Sequence, residues 1–267
     1  MGEALIRLAV ALLATLPGTP TWSSTVRGLD HVIIAVADLE SARARFADLG
    51  FVLKPGRPHA NGIRNLHIKF EDGTEIELLT VDEPTDALAR TYLEHLSAGS
   101  GPVYAGLFAP DRDDLLGVLR KLGLEPSVGA LITLAGSSGL GHLFFGRRNH
   151  APTDRPGHFA HGNGARSLIG LWLAPDDSSS TVELLTRLGA EEVMPRNDGL
   201  GQSWEARMFR LPEGFVALVD RRYRSHPKRP IVGITLQGTA PRIIPPSEAE
   251  GLWIEFQARA PSESADE

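Results

Sequence analysis

Side chains able to do acid–base or metal chemistry gather between residues 31 and 77. Successive side chains of a strand point to opposite faces. On a strand over Gly28–Val36, Leu29, His31, Ile33 and Ala35 therefore share one face, and Val32, Ile34 and Val36 the other. On a second strand Asn65, His67 and Lys69 oppose Leu66, Ile68 and Phe70, and on a third Glu75, Glu77 and Leu79 oppose Ile76 and Leu78. One face is apolar throughout. The other collects His31, Asn65, His67, Lys69, Glu75 and Glu77, as the lining of a wet ligand cavity would. The chain has no cysteine, so disulfides and thiol nucleophiles are excluded. Any metal must take His, Asp, Glu or water, which suits Mg, Mn, Fe, Ni, Co or Zn. Without a metal, His31 reads as a polar cavity residue and Glu77 as the partner of Lys69 or Arg64.

A second set of polar groups comes as a repeat. His59-Ala60-Asn61-Gly62-Ile63-Arg64 returns as His161-Gly162-Asn163-Gly164-Ala165-Arg166. Asn-Gly favours a turn with positive φ. Either these are turns leading into strands with solvated histidines, or they set His59, Asn61, His161 and Asn163 at a cavity mouth as substrate-binding donors and acceptors. The stretch from Arg147 to His158, rich in His, Arg and Pro, reads as a lid or as a plain connector.

The elements that must position these groups follow from pattern. Asp38 is an N-cap; Leu39, Ala42, Phe46 and Leu49 have helical spacing, and Gly50 ends the helix. Strands are predicted over Phe51–Lys54, Asn65–Phe70 and Thr74–Val81, with Glu71-Asp72-Gly73 as a hairpin turn. This β-α-β-β-β order recurs. A second copy runs through a strand at Pro102–Ala109, a helix at Asp111–Leu122 and strands near Ala130–Leu134 and His142–Phe145. A third uses Ser167–Ala174, a helix over Asp176–Leu188, and a hairpin of Trp204–Leu211 with Phe215–Asp220. A shortened fourth uses Ile231–Leu236 and Leu252–Gln257. Each helix is followed by several strands, which argues for α+β modules over a doubly wound parallel sheet.

Leu29-Asp30-His31-Val32-Ile33-Ile34-Ala35-Val36 with Asp38-Leu39 resembles the opening strand and helix cap of a vicinal-oxygen-chelate module. Thr74-Glu75-Ile76-Glu77-Leu78-Leu79 resembles its closing strand. His59, Gly62 and Asn65 are similar to the His-x-x-Gly-x-x-Asn stretch of the glyoxalase-like domain branch. The resemblance is carried by 28–82, is weaker over 101–150, and rests on repeated pattern over 165–260. It implies an α+β fold of repeated βαβββ modules forming curled, open-barrel sheets with helices on the outer face. One module pair is expected over 28–150 and a second over 151–260, with a leader and linker over 1–27 and a tail over 261–267.

The superfamily holds isomerases, lyases, extradiol dioxygenases and metal-free binding proteins, so fold membership selects no reaction. In metal-binding members the opening-strand His and the closing-strand Glu are ligands. The resemblance carries those roles to His31 and Glu77, with Glu77 also the catalytic group and Asn65 and His67 lining the substrate. One divalent ion (Zn, Fe, Mn, Ni or Mg) would chelate vicinal oxygens of a small molecule. In the alternative the site is degenerate, no cofactor binds, and the protein sequesters an apolar or aromatic ligand. In the other copies Tyr104 falls opposite His31, Phe144 or Phe145 opposite Glu77, then Ile169 or Gly170 with Leu218, and Glu255 in the fourth; His67 or His142 are stand-in ligands.

The net charge of −6, from 33 acidic and 27 basic residues, argues against a nucleic-acid partner. A small molecule is the expected partner, and a homodimer is an open assembly. Leu8–Leu16 is apolar but too short to span a bilayer. It reads equally as a signal-peptide core, giving an exported protein, or as an amphipathic helix of a cytoplasmic one. Gly136–Gly141 lacks the Lys-Ser/Thr of a phosphate loop, and no Gly-x-Ser-x-Gly occurs.

Overall fold

The computed structural model describes residues 24–134, 139–194 and 206–258. Leu8–Leu16, most of the linker, the start of the Gly136–Gly141 stretch, Trp204 and the tail lie outside these residues. Asp38 accepts hydrogen bonds from the Glu40 and Ser41 N–H groups and starts a helix that buries Leu39, Ala42 and Phe46. Gly50, at φ 89°, ends it. The first module is β1 (Gly28–Ala35), α1 (Leu39–Asp48), β2 (Lys54–Pro55), β3 (Ile63–Lys69) and β4 (Glu75–Val81). A helix absent from the sequence expectation follows, α2 (Ala87–Ser97). The second module is β5 (Gly101–Phe108), α3 (Arg112–Lys121), β6 (Ser127–Val128), β7 (Ile132–Thr133) and β8 (Leu143–Gly146). The third is β9 (Ser167–Leu173), α4 (Ser179–Arg187), β10 (Glu191–Val193), β11 (Arg207–Leu211) and β12 (Gly214–Leu218). The fourth has β13 (Ile231–Gly238), β14 (Arg242–Ile244) and β15 (Trp253–Ala258), with no helix between β13 and β14.

The fold is α+β, with two curled, open sheets. One has the order β2-β3-β4-β1-β5-β8-β7-β6 and the other β10-β11-β12-β9-β13-β15-β14. Each is centred on an antiparallel pair of opening strands, β1 with β5 and β13 with β9. Each opening strand also runs parallel to its own module's closing strand. The alternation read from sequence holds on β3 and β4. Leu66, Ile68, Ile76 and Leu78 enter one large core together with Phe46 of α1, Leu115 and Leu119 of α3, and Leu184 and Leu185 of α4. That core joins the convex faces of both sheets. Helices α1, α3 and α4 thus take the outer face, as expected of βαβββ modules.

Helix α2 does not. Ala89 and Tyr92 pack with Ile33, Ala35, Leu79 and Val81 on the concave face of the first sheet. Two expectations are corrected nearby. Of the predicted Phe51–Lys54 strand only Lys54 pairs, together with Pro55, and Phe51 is buried against Phe46 instead. The end of the expected linker is packed as well. Val26 is fully buried, and the Ser24 hydroxyl donates to Leu188 O at 2.9 Å.

Candidate functional site

The centre of the first concave face is set by strand register. β1 runs parallel to β4 with His31 opposite Glu75 and Ile33 opposite Glu77. β3 runs antiparallel to β4 with His67 opposite Glu77 and Lys69 opposite Glu75. The side chains expected to share a face therefore meet. Ligand atoms of His31, Glu75 and Glu77 all lie within 4.8 Å of one another. His31 Nε2 is 3.7 Å from Glu77 Oε2. Asn65 Nδ2 donates to Glu77 Oε1 at 2.6 Å.

Leu29 departs from the expectation. Partners of β1 in β5 step from Leu29–Leu107 to Val32–Ala105, so β1 carries one extra residue. This bulge turns Leu29 to the convex core while His31 keeps the concave side. It also brings Asp30 beside its neighbour, with Oδ1 3.3 Å from His31 Nδ1.

Glu75 is tied down more firmly than Glu77. His67 Nδ1 lies 3.2 Å from its Oε1, and Lys69 Nζ 2.8 Å from its Oε2. Lys69 also donates to Asn149 O at 2.6 Å and faces Asp154 Oδ2 at 3.5 Å. Lys54 pairs with Asp154 and donates to Thr153 Oγ1. The stretch from Arg147 to His158 thus docks on the β2–β3 side of the site and anchors both lysines. Glu77 pairs with neither Lys69 nor Arg64, whose Nε is 2.6 Å from Asp82.

Burial pulls the His31 imidazole down, but the hydrogen bond and charge of Asp30, with the charges of Glu77 and Glu75, outweigh it and raise its pKa to about 9. Burial pushes the Glu75 carboxyl up, and the His67 hydrogen bond with the charges of His31 and His67 and the Lys69 hydrogen bond hold it at about 2.

Among the described residues the partner modules add no ligand to this group. Equivalent registers pair Gly106 with Phe144, Trp172 with Ala217 and Thr235 with Glu255. The Glu77 position is thus Phe144, Ala217 (not Leu218) and Glu255, and the His31 position is Tyr104, Gly170 and Gly233. Phe144 packs on His31 with centroids 4.6 Å apart. Tyr104 hydrogen-bonds His95 at 3.2 Å. Glu255 belongs to the other sheet, where its Oε2 accepts from Thr235 at 2.9 Å and from Gln257. His142 is buried away from the cluster, and burial lowers its pKa to about 4.

The paired His-x-Asn-Gly loops serve helix ends. Asn61 Nδ2 donates to Asp86, whose other oxygen caps α2 through Ala89 N–H. Asn163 Nδ2 donates to Leu49 O at the end of α1. Val52 N–H donates to His161 Nδ1 at 3.0 Å, so Nε2 carries the proton and donates to Lys69 O at 2.9 Å. His161 lies between Phe51 and Phe70. Both of its nitrogens are used, which corrects the expectation of a donor at a cavity mouth. His59 sits in its own turn, half-buried, and is not part of the His31 group. Of the residues expected at the site, His31, Asn65, His67 and Glu77 come together; His59, Asn61, His161 and Asn163 do not join them. Asp30 and α2 were missed, the first because a bulge leaves no mark in alternation.

Among the described residues no helix is long and apolar enough to cross a membrane. The glyoxalase-like domain family matches residues 29–189. A hypothetical protein from Staphylococcus aureus superposes with a TM-score of 0.62 at 16% identity, covering 88% of this chain and 100% of its own. A mutant of 4-hydroxymandelate synthase from Streptomyces coelicolor does so at 0.60 and 11%, covering 90% and 94%. A xylose isomerase-like TIM barrel/4-hydroxyphenylpyruvate dioxygenase fusion protein gives 0.52 and 16%, covering 85% of this chain and 38% of the fusion. These likenesses are of fold. No curated protein sequence matches the chain.

Proposed function

Because the chain belongs to the glyoxalase-like domain family, within the vicinal-oxygen-chelate superfamily, we propose that it is an enzyme acting on a small oxygen-rich molecule with one divalent ion held by His31, Glu77 and Glu75. The observation that carries this reading is the convergence of one imidazole and two carboxylates within 4.8 Å on a concave face. That donor set suits a hard to borderline ion such as Mn, Mg or Fe, or Zn. When bound, the ion supplies Lewis acidity to chelated vicinal oxygens.

The residues divide the remaining work. Asn65 holds Glu77 Oε1, which leaves Oε2, on the His31 side, as the oxygen that would meet the ion. Lys69 and His67 keep Glu75 ionised and fixed. Ile33, Leu79, Val81 and Tyr92 exclude water from the α2 side, and Phe144 packs on the His31 ring. A second reading, metal-free sequestration of an apolar or aromatic ligand, draws on Phe144 and Tyr104 standing where the partner module would offer ligands.

Metal analysis of the purified protein, with titration of Mn²⁺, Zn²⁺ and Co²⁺, separates the two. The enzyme reading expects close to one ion per chain, lost in His31→Ala and in Glu77→Gln. Retention of the ion by both variants would overturn the ligand assignment, and absence of any binding would favour sequestration.

A further inference from the structure

We infer that Asp30 is a positioning residue, a buried carboxylate that fixes the His31 ring so that Nε2 faces the two glutamates. The inference rests on the reading of His31 and Glu77 as ion ligands. In a regular strand neighbours 30 and 31 would point to opposite faces. The extra residue of the β1 bulge lets them lie side by side, with Asp30 Oδ1 at 3.3 Å from His31 Nδ1. Strand β8 makes room for the carboxylate. A Cβ on Gly146 would run into Asp30 Oδ2, whereas Gly106 is kept small chiefly by the Phe144 ring.

The arrangement is costly by itself. Asp30 is 1% exposed, and its Oδ2 has no hydrogen-bond partner among the described residues. A buried carboxylate with one oxygen unused needs a reason. Its one side-chain partner among the described residues is His31. A ligating imidazole commonly gives its other N–H to a carboxylate, which fixes the ring and strengthens it as a ligand. A glycine and a bulge spent on this contact are more than packing requires.

The test uses Asp30→Ala, Asp30→Asn and Gly146→Ala in the full chain, with Co²⁺ as the probe. Affinity comes from titration and site geometry from the visible absorption of bound Co²⁺. Asp30→Ala is expected to weaken Co²⁺ binding by about 10- to 100-fold and to change its spectrum. Asp30→Asn, which keeps an oxygen for Nδ1–H, should recover part of the loss. Gly146→Ala, which leaves Asp30 intact but displaced, should fall with Asp30→Ala. Metal-free crystal structures of wild type and Asp30→Asn give an independent reading, because the ring of His31 should leave its contact with Phe144 where the carboxylate's hold is weakened. If Asp30→Ala does not fold, the other two variants carry the comparison. Wild-type affinity and spectrum in the variants would overturn the inference. If wild type binds no Co²⁺, the ion reading of His31 and Glu77 fails, and the His31 ring orientation in the crystals decides the role of Asp30: unchanged, it overturns it.

Discussion

Replacing His161 with Ala removes a ring that holds two backbone groups and fills the gap between Phe51 and Phe70. Val52 N–H loses its acceptor and Lys69 C=O its donor. A buried backbone group left without a partner costs roughly 1–3 kcal/mol, and each lost aromatic contact roughly 0.5–1.5 kcal/mol. Water entering the gap offsets part of this, so the expected loss is about 3–5 kcal/mol. For a chain of this size that lowers Tm by roughly 6–20 °C, at about 2–4 °C per kcal/mol. Burial also holds the His161 imidazole below its ordinary value. The unfolded chain then takes up a proton near pH 6.5 before the folded one does, so this contribution is full above about pH 6.5 and shrinks as pH falls. Calorimetry or urea unfolding of wild type and His161→Ala between pH 5 and 8 measures both effects. The variant should be less stable at pH 8 and lose less on acidification. A loss under about 1 kcal/mol at pH 8, the range of exposed side chains, would refute the account of His161 as a brace.

Four further outcomes follow from the same geometry. His142, at about 4 against an ordinary 6.5, should cost up to roughly 3 kcal/mol of stability as pH falls from 6.5 to 4, at 1.36 kcal/mol per unit; unfolding of His142→Phe should show a shallower acid limb. Lys69→Met strips Glu75 and Asp154 of a buried partner and should destabilise by roughly 3–5 kcal/mol, and a urea midpoint unchanged from wild type would count against the network. Gly62→Ala, at φ 86° and with a Cβ forced onto Glu83 O, should lower Tm clearly, whereas His59→Ala should shift stability by under about 1 kcal/mol in the same denaturation series.

Much of the fold was legible because local signals agreed with it. Asp38 caps the helix it was expected to cap, the helix expected from Asp111 forms with Asp111 as its cap, and alternation on β3 and β4 put Asn65, His67, Glu75 and Glu77 on one face. The meeting of His31 with Glu77 followed from the same phasing. What stayed hidden depends on tertiary contacts. The bulge at Asp30 shows only in pairing with β5, and it broke the phasing at Leu29. Helix α2 buries just Ala89 and Tyr92, too narrow a stripe to stand out. The repeated His-x-Asn-Gly loops looked like presented polar groups, yet Asn61 and Asn163 spend their amides on Asp86 and Leu49. Sequence marks a polar turn; only the fold decides whether it faces a ligand or a helix end.

The central claim is that His31, Glu75 and Glu77 hold a divalent ion on the concave face of the first sheet. Calorimetric titration of Mn²⁺ into metal-stripped protein, run in parallel on wild type, His31→Ala and Glu77→Gln, tests it most directly. The account predicts binding of one ion to wild type and at least a tenfold weaker affinity in each variant. Equal affinity in all three, or no binding by wild type to Mn²⁺, Zn²⁺ or Co²⁺, would contradict it.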